Sequence, residues 1–117
     1  MITRTQFVLA VPDLEKSSTF YRNVLGFTIH DLAPGWLRYE RDGCSIMAGE
    51  CPDALPPREL GDHSYFAYFV VDDLDALHAK ISPAAEVTKQ LRAEPWGMRE
   101  FGIRTADGHR IMFGQPV

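Results

Sequence analysis

Two short stretches of this chain repeat nearly the same residues, and this repeat constrains the fold more than any other feature. "RDGCSIMAG" begins at Arg41 and "ADGHRIMFG" begins at Ala106, and both contain Asp-Gly, Ile-Met and a final Gly. An Asp-Gly pair between apolar runs is typical of a tight β-hairpin. We therefore expect a chain built from two similar halves, each of which ends in a hairpin.

A second pair of similar stretches opens each half. "VPDLEKSSTFY" begins at Val11 and "VDDLDALHAKI" begins at Val71, and each follows an apolar run of strand length. Asp13 and Asp73 are placed to accept hydrogen bonds from the first backbone N–H groups of the helices that follow. Three short strands follow each helix, so each half is predicted to be strand–helix–strand–strand–strand.

The predicted organisation is a first module over 1–52, a connector over 52–63 and a second module over 63–117. A module of this length buries too little surface to be stable alone, so we expect a single domain over 1–117. The predicted class is α+β. Two βαβββ modules in tandem form curved mixed sheets with the helices outside and a concave inner groove.

Composition narrows the expected partners and location. Twelve basic and sixteen acidic residues give a formal net charge of −4. We expect no nucleic-acid partner, because phosphate binding needs a concentration of Lys and Arg. No stretch has the apolar length of a membrane span and no secretory signal is recognised, so we expect no membrane association. Cys44 and Cys51 fit neither a disulfide framework nor a CxxC motif, which favours a reduced, cytoplasmic protein.

The sequence of the second hairpin predicts which residues pair across it. Ala106–Gly108 is predicted to form a three-residue loop with Gly108 in the left-handed region. This loop produces two apolar cross-strand pairs, Ile103 with Ile111 and Phe101 with Phe113. Because side chains alternate between the faces of a strand, Met98, Glu100 and Met112 then share the inner face.

The first hairpin leaves two registers open. A two-residue turn at Asp42-Gly43 places Trp36 and Arg38 beside Met47 on the inner face. A three-residue turn would exchange the two faces of the strands. The two-residue turn is the prediction that we carry forward.

The chain resembles a known superfamily over essentially its whole length. The paired modules, "VPDLEKSSTFYRNVLGF" from Val11 and "DGHRI" from Asp107 are similar to the vicinal oxygen chelate superfamily. Its members include glyoxalases, extradiol dioxygenases, fosfomycin-inactivating enzymes and bleomycin-resistance proteins. "EPWGMREFGIRTADG" from Glu94 most resembles the bleomycin-resistance branch. The resemblance implies that the loop around Trp96 borders a ligand groove.

Enzymes of this superfamily hold a metal with one side chain from each of four strands, and the repeat locates those positions here. They fall on Gln6, Met47, Phe66 and Met112. Divalent metals prefer imidazole or carboxylate ligands, whereas this set has one amide, two thioethers and a phenyl ring. We therefore expect neither a metal nor another cofactor.

Ten residues are predicted to bind a ligand on the inner face or beside it. They are Gln6, Trp36, Arg38, Met47, Phe66, Tyr68, Trp96, Met98, Glu100 and Met112. An aromatic and Met-rich face is ordinarily core, but the helices are expected to cover the opposite face of the same strands. A second apolar face then needs a ligand or a partner chain. Packing alone remains the alternative, and Arg38 and Glu100 can equally be solvated charges.

The histidines do not form a catalytic pattern. His30 is the one histidine that can share the inner face, whereas His63, His78 and His109 are predicted to lie elsewhere. A single histidine without an orienting partner is more often structural.

The function predicted from the sequence is sequestration. A hydrophobic or cationic small molecule would be held in an aromatic groove without metal, by a protein that forms a homodimer. One alternative is a glyoxalase-like lyase or transferase that uses Gln6, Glu100 or Glu50 in an atypical site. Another is a dimeric structural module without a ligand.

Overall fold

A computed structural model describes residues 1–60 and 64–117, in two compact units, Met1–Pro56 and Pro57–Val117. The elements of the first unit are β1 (Phe7–Val11), α1 (Leu14–Asn23), β2 (Thr28–Ala33), β3 (Trp36–Arg41) and β4 (Cys44–Glu50). Those of the second are a 3₁₀ turn (Pro57–Glu59), β5 (Tyr65–Val70), α2 (Leu74–Ile81), β6 (Glu86–Ala93), β7 (Met98–Arg104) and β8 (Arg110–Pro116). The predicted α+β class and the duplicated βαβββ order are confirmed.

The first unit is a four-stranded mixed sheet with α1 packed on one side. Its strand order is β1-β4-β3-β2, with β1 parallel to β4 and the remaining pairs antiparallel. Tyr21 of α1 packs against Tyr39 of β3 with ring centroids 4.6 Å apart, and both side chains are fully buried. The Tyr39 hydroxyl donates to Ser17 Oγ at 2.8 Å, which satisfies a polar group inside the core.

The second unit repeats this arrangement. Its strand order is β5-β8-β7-β6, again with one parallel pair, β5 with β8. Phe101 and Phe113 stack under α2 with ring centroids 5.1 Å apart. His78 of α2 meets the Phe101 ring edge-on at 4.9 Å. This histidine is therefore part of the packing between helix and sheet.

Each helix begins with the same two side-chain caps. Asp13 Oδ1 accepts from the backbone N–H of Lys16, and Asp73 Oδ1 accepts from that of Ala76, both at 3.1 Å. The predicted caps are confirmed. A second cap comes from the last strand of the same unit. The N–H of Leu14 donates to Glu50 Oε2 of β4, and the N–H of Leu74 donates to Gln115 Oε1 of β8, each at 3.0 Å. Glu50 and Gln115, the residues that follow the repeated glycines, thus have the same capping role in the two units.

Both hairpins have the predicted registers. Asp42 and Gly43 have φ angles of 49° and 82°, as a two-residue turn of type I′ requires, and Tyr39 pairs with Ile46. The three-residue alternative is therefore wrong for the first hairpin. In the second, Gly108 has φ 96°, and Ile103 pairs with Ile111 as predicted. Neither helix in the described part of the chain has the length and apolar character that crossing a bilayer requires.

Candidate functional site

Each sheet has one side that its own helix does not cover, and we call these sides the first and second open faces. Strand register assigns residues to each. The first open face carries Val8, His30, Trp36, Arg38, Ser45, Met47 and Gly49, and Gln6, just before β1, joins it through its bond from Ser45. The second carries Tyr65, Tyr68, Val70, Lys89, Met98, Glu100, Gly102, Arg110, Met112 and Gly114. Most of the predicted ligand-binding residues therefore lie on one of these two faces.

The repeated glycine explains how an aromatic side chain packs against the strand on each open face. A Cβ atom added at Gly49 would meet three atoms of the Trp36 ring at 2.8–2.9 Å. One added at Gly114 would meet Cζ of Tyr68 at 2.6 Å. Real Cβ atoms do not approach this closely, so only glycine allows these rings to lie against the strand. The final Gly of "RDGCSIMAG" and of "ADGHRIMFG" thus has the same role in both units.

The first open face combines the Trp36 ring with polar side chains. Arg38 Nη1 donates to Glu40 Oε2 at 3.1 Å, and His30 Nε2 lies 3.5 Å from the other oxygen of the same carboxylate. Ser45 donates from its hydroxyl to Gln6 Oε1 at 3.0 Å. The amide oxygen of Gln6 is therefore already bound within the protein.

The second open face has a nearly buried carboxylate at its centre. Glu100 is 3% exposed. The Tyr68 hydroxyl donates to its Oε2 at 2.6 Å, and Lys89 Nζ donates to its Oε1 at 2.5 Å. These are charge-assisted bonds of the short, strong kind. They orient three side chains that come from three different strands, β5, β6 and β7.

Burial and these bonds set the ionisation of the cluster. Burial alone would raise the pKa of Glu100, but the bonds from Lys89 and Tyr68 outweigh it and lower the pKa. Burial followed by the bond to Glu100 raises the pKa of Tyr68 to about 12. Burial would lower the pKa of Lys89, yet its two carboxylate partners raise it. At neutral pH the cluster therefore holds an anionic Glu100, a neutral Tyr68 and a cationic Lys89.

Trp96 lies in the turn between β6 and β7, next to this cluster. The turn is closed by the bond from Glu94 N–H to the Met98 carbonyl at 2.7 Å, and Gly97 has φ 86°. Lys89 Nζ lies 5.4 Å from the centroid of the Trp96 ring, within cation–π range. The indole is 63% exposed, so most of its surface is free to contact another molecule.

Regular alternation along β5 is interrupted at the start of the strand. A bulge between Tyr65 and Ala67 lets Tyr65 pair with Arg110 and join the second open face. The Tyr65 hydroxyl lies 3.1 Å from Thr88 Oγ1 on the same side. Phe66 is the extra residue of the bulge, and its ring meets the His109 ring edge-on at 5.8 Å. Tyr68 pairs with Met112 and lies on the second open face.

The four positions of the superfamily's metal site do not fit a divalent cation here. Phe66 has no donor atom, Met47 and Met112 offer only thioethers, and the Gln6 oxygen accepts from Ser45. Within residues 1–60 and 64–117, no group of three or more His, Cys, Asp and Glu side chains is arranged to hold a metal ion. The donor atoms at the four positions therefore give no support for metal-assisted chemistry there.

The other candidates for catalysis have structural partners. The Glu50 carboxylate caps α1, and His78 packs on Phe101. His109 packs against Phe66, and burial lowers its pKa. His30 shares the first open face, as predicted, while His63 lies outside the described residues. An atypical active site built on Glu50 is therefore not supported by the geometry.

Sequence reasoning missed Lys89 and Tyr65 as members of the second open face, and Glu94 as an ion-pair partner of Lys89. β6 departs from regular pairing with β7 at two places, between Val87 and Lys89 and between Lys89 and Arg92. Alternation along β6 consequently does not reveal which side chains reach Glu100. The one available signal was the proximity of Lys89 and Glu94 to Trp96 in "TKQLRAEPWG".

Residues 3–113 match the sequence model of the Glyoxalase/Bleomycin resistance protein/Dioxygenase superfamily. The chain belongs to this superfamily. Among curated proteins, glutathione transferase FosA from Serratia marcescens is 29% identical over 107 residues, which cover 88% of this chain and 73% of that protein.

Several solved structures have the same fold as this chain. TnmS3, an antibiotic binding protein from Streptomyces sp. CB03234, is 26% identical with a TM-score of 0.79, covering 100% of this chain and 98% of its own. TioX from Micromonospora sp. ML1 has a TM-score of 0.79 at 20% identity, and the match covers 98% of this chain and 99% of TioX. A glyoxalase/bleomycin resistance protein/dioxygenase from Alicyclobacillus acidocaldarius has a TM-score of 0.82 at 14% sequence identity. The match covers 97% of this chain and 90% of that protein. The last two likenesses concern the fold alone.

Proposed function

We propose that this superfamily member binds a flat hydrophobic or cationic small molecule on its aromatic open faces and sequesters it without metal or chemical change. The observation that carries the proposal is the aromatic ring laid over a repeated glycine in both units, Trp36 on Gly49 and Tyr68 on Gly114. Exposed rings held in a fixed orientation give a flat ligand a stacking surface at low entropic cost. Trp96, beside the second of these rings, adds a further stacking surface.

A similar protein supports this interpretation. TnmS3 is described as an antibiotic binding protein and is 26% identical to this chain. We infer that an antibiotic-like molecule is the ligand class to test first. The two free cysteines, Cys44 and Cys51, support the further proposal of a reducing, cytoplasmic location.

The test is a thermal-shift screen with basic glycopeptide antibiotics, thiol conjugates and divalent metals, followed by titration of any compound that stabilises the protein. Stacking and cation–π contact on an indole contribute roughly 1–2 kcal/mol, so Trp96→Ala should weaken binding about five- to thirtyfold. Leu55→Ala is the matched control, because Leu55 is as exposed as Trp96 and lies on neither sheet. Equal affinity in the wild type, Trp96→Ala and Trp36→Ala would place the ligand elsewhere and contradict the proposal.

A transferase is the second candidate, favoured by the 29% identity to glutathione transferase FosA. The donor chemistry of Gln6, Phe66 and Met112 argues against a metal-assisted reaction. The two functions differ in a simple observable: a transferase consumes its substrate, whereas a sequestering protein returns the ligand unchanged.

We also propose that the protein is a homodimer. Val8 and Val70 are more than half exposed on the open faces, and apolar side chains of this kind favour burial against a second chain. A two-fold assembly would cover them, with the modules either kept within one chain or exchanged between chains.

A further inference from the structure

Lys89 lies on the second open face with its ammonium group enclosed by acidic and aromatic partners. Its Nζ is 2.5 Å from Glu100 Oε1 and 3.1 Å from Glu94 Oε1. It is also 5.4 Å from the centroid of the Trp96 ring. Two carboxylates and an indole are the groups with which a protein would bind the ammonium group of a small molecule.

The two carboxylates keep a partner when Lys89 leaves. Tyr68 still donates to Glu100 Oε2, at 2.6 Å. Arg92 still pairs with Glu94 through its Nε. Because neither acid would be left without a hydrogen bond, exchange of Lys89 for another cation avoids the cost of an unpaired buried carboxylate.

Lys89 itself is able to leave. Its side chain is 18% exposed, and a four-carbon stem can turn its charged end into solvent without movement of the backbone. The backbone of Lys89 pairs with Gly102 of β7, so only the side chain has to move for the ammonium group to leave. The exposed surface of Trp96 is next to the position that the ammonium would vacate.

We propose that Lys89 Nζ occupies the position of a ligand's ammonium group, and that a flat ligand carrying a protonated amine displaces it from Glu100, Glu94 and Trp96. This inference rests on the proposed function and narrows its ligand class to aromatic or otherwise flat amines. Lys89 acts as a built-in competitor: it keeps the site closed to weak or neutral ligands and opens it to a cation with its own stacking surface. Affinity for the amine is reduced by the fraction of time that Lys89 fills the site.

The experiment compares 1-naphthylmethylamine with 1-naphthylmethanol, which has the same ring system without the charge. Binding to the wild type, Lys89→Met and Lys80→Met is measured by following the Trp96 indole N–H signal in ¹H–¹⁵N spectra. Lys89→Met should bind the amine about tenfold more tightly than the wild type, with less than a twofold change for the alcohol. Lys80→Met is the matched control, because it makes the same substitution and removes the same charge at an exposed lysine of α2, which packs on the other side of the sheet.

The control separates displacement from a general change in net charge. An equal gain in Lys80→Met and Lys89→Met would overturn the inference, as would an amine affinity that falls or stays constant in Lys89→Met. If the alcohol binds and Trp96→Ala weakens it, the proposed function stands even though this inference fails. If neither compound binds any of the proteins at millimolar concentration, both are wrong.

A second readout uses the wild type alone and does not depend on the folding of Lys89→Met. The Lys89 ammonium protons, held by Glu100 and Glu94, should give their own signal in ¹H–¹⁵N spectra of the side-chain ammonium groups. The amine should remove or shift this signal, and the alcohol should leave it in place. A signal that is unchanged while the amine saturates the Trp96 shift would overturn the inference.

Discussion

The substitution Gly114→Ala tests whether the repeated glycine is what places Tyr68 on the second open face. The new Cβ would lie 2.6 Å from Cζ of Tyr68, so the ring must move away from β8. Movement breaks the 2.6 Å bond from the Tyr68 hydroxyl to Glu100. The backbone at Gly114 does not have positive φ, so alanine meets no conformational strain there.

The expected magnitude follows from these contacts. A hydrogen bond to a charged group contributes about 1.5–3 kcal/mol, and we reduce this to about 1–2 kcal/mol because Tyr68 is 44% exposed. Alanine lowers the entropy of the unfolded chain, which offsets about 0.5 kcal/mol. Gly114→Ala should therefore lower the free energy of unfolding by about 1 kcal/mol, whereas glycine to alanine in an open strand is ordinarily neutral or stabilising.

The assay is urea unfolding of the wild type, Gly114→Ala, Tyr68→Phe and the double variant. In the Tyr68→Phe background there is no hydroxyl bond to lose, so Gly114→Ala should cost less than it does in the wild type. Ultraviolet titration of tyrosinate should also show the Tyr68 pKa falling from about 12 towards its ordinary value in Gly114→Ala. Equal costs in both backgrounds, together with an unchanged Tyr68 titration, would refute the role assigned to this glycine.

Three further outcomes are expected. The free energy of unfolding should fall as pH rises from 10 to about 12. The pKa of Tyr68 is raised in the folded state, so the stabilising effect of the protonated hydroxyl is lost over that interval. Tyr68→Phe should lack this part of the pH dependence. Phe101→Ala should cost about 3–5 kcal/mol in urea unfolding, because the ring is fully buried between Phe113 and His78, and a loss below 1 kcal/mol would contradict this packing. Sedimentation at micromolar concentration should show a dimer, and a single 13.2 kDa species would contradict the proposed assembly.

The fold was predictable because the repeated residues act on neighbours that are close in the sequence. A tight hairpin turn requires positive φ, which the glycine of each Asp-Gly pair adopts readily. The length of the turn then determines which side chains pair across the hairpin. Asp13 and Asp73 mark helix starts through bonds to N–H groups three residues away. None of these inferences needed knowledge of distant contacts, and the predicted pairs Tyr39 with Ile46 and Ile103 with Ile111 were confirmed.

The candidate site was less predictable because it depends on irregular strands. One extra residue in β5 moves Tyr65 onto the open face, and two shifts in β6 bring Lys89 to Glu100. A bulge changes the face of every side chain on one side of it, and no residue type marks these bulges in the sequence. The role of Gly114 was equally hidden, since it depends on a ring from a neighbouring strand.

Mass spectrometry of a bound ligand after prolonged incubation tests the central claim most directly. A compound that stabilises the protein in the thermal-shift screen is incubated with it for hours, with and without glutathione and divalent metal, then released and weighed. Sequestration predicts that the ligand is recovered in full at its original mass under all conditions, and that protein purified without chelator carries no stoichiometric Zn, Ni, Mn or Fe. A glutathione adduct or any other product formed in proportion to the protein, above all one that requires metal and is lost in Gln6→Ala, would contradict the account and identify an enzyme.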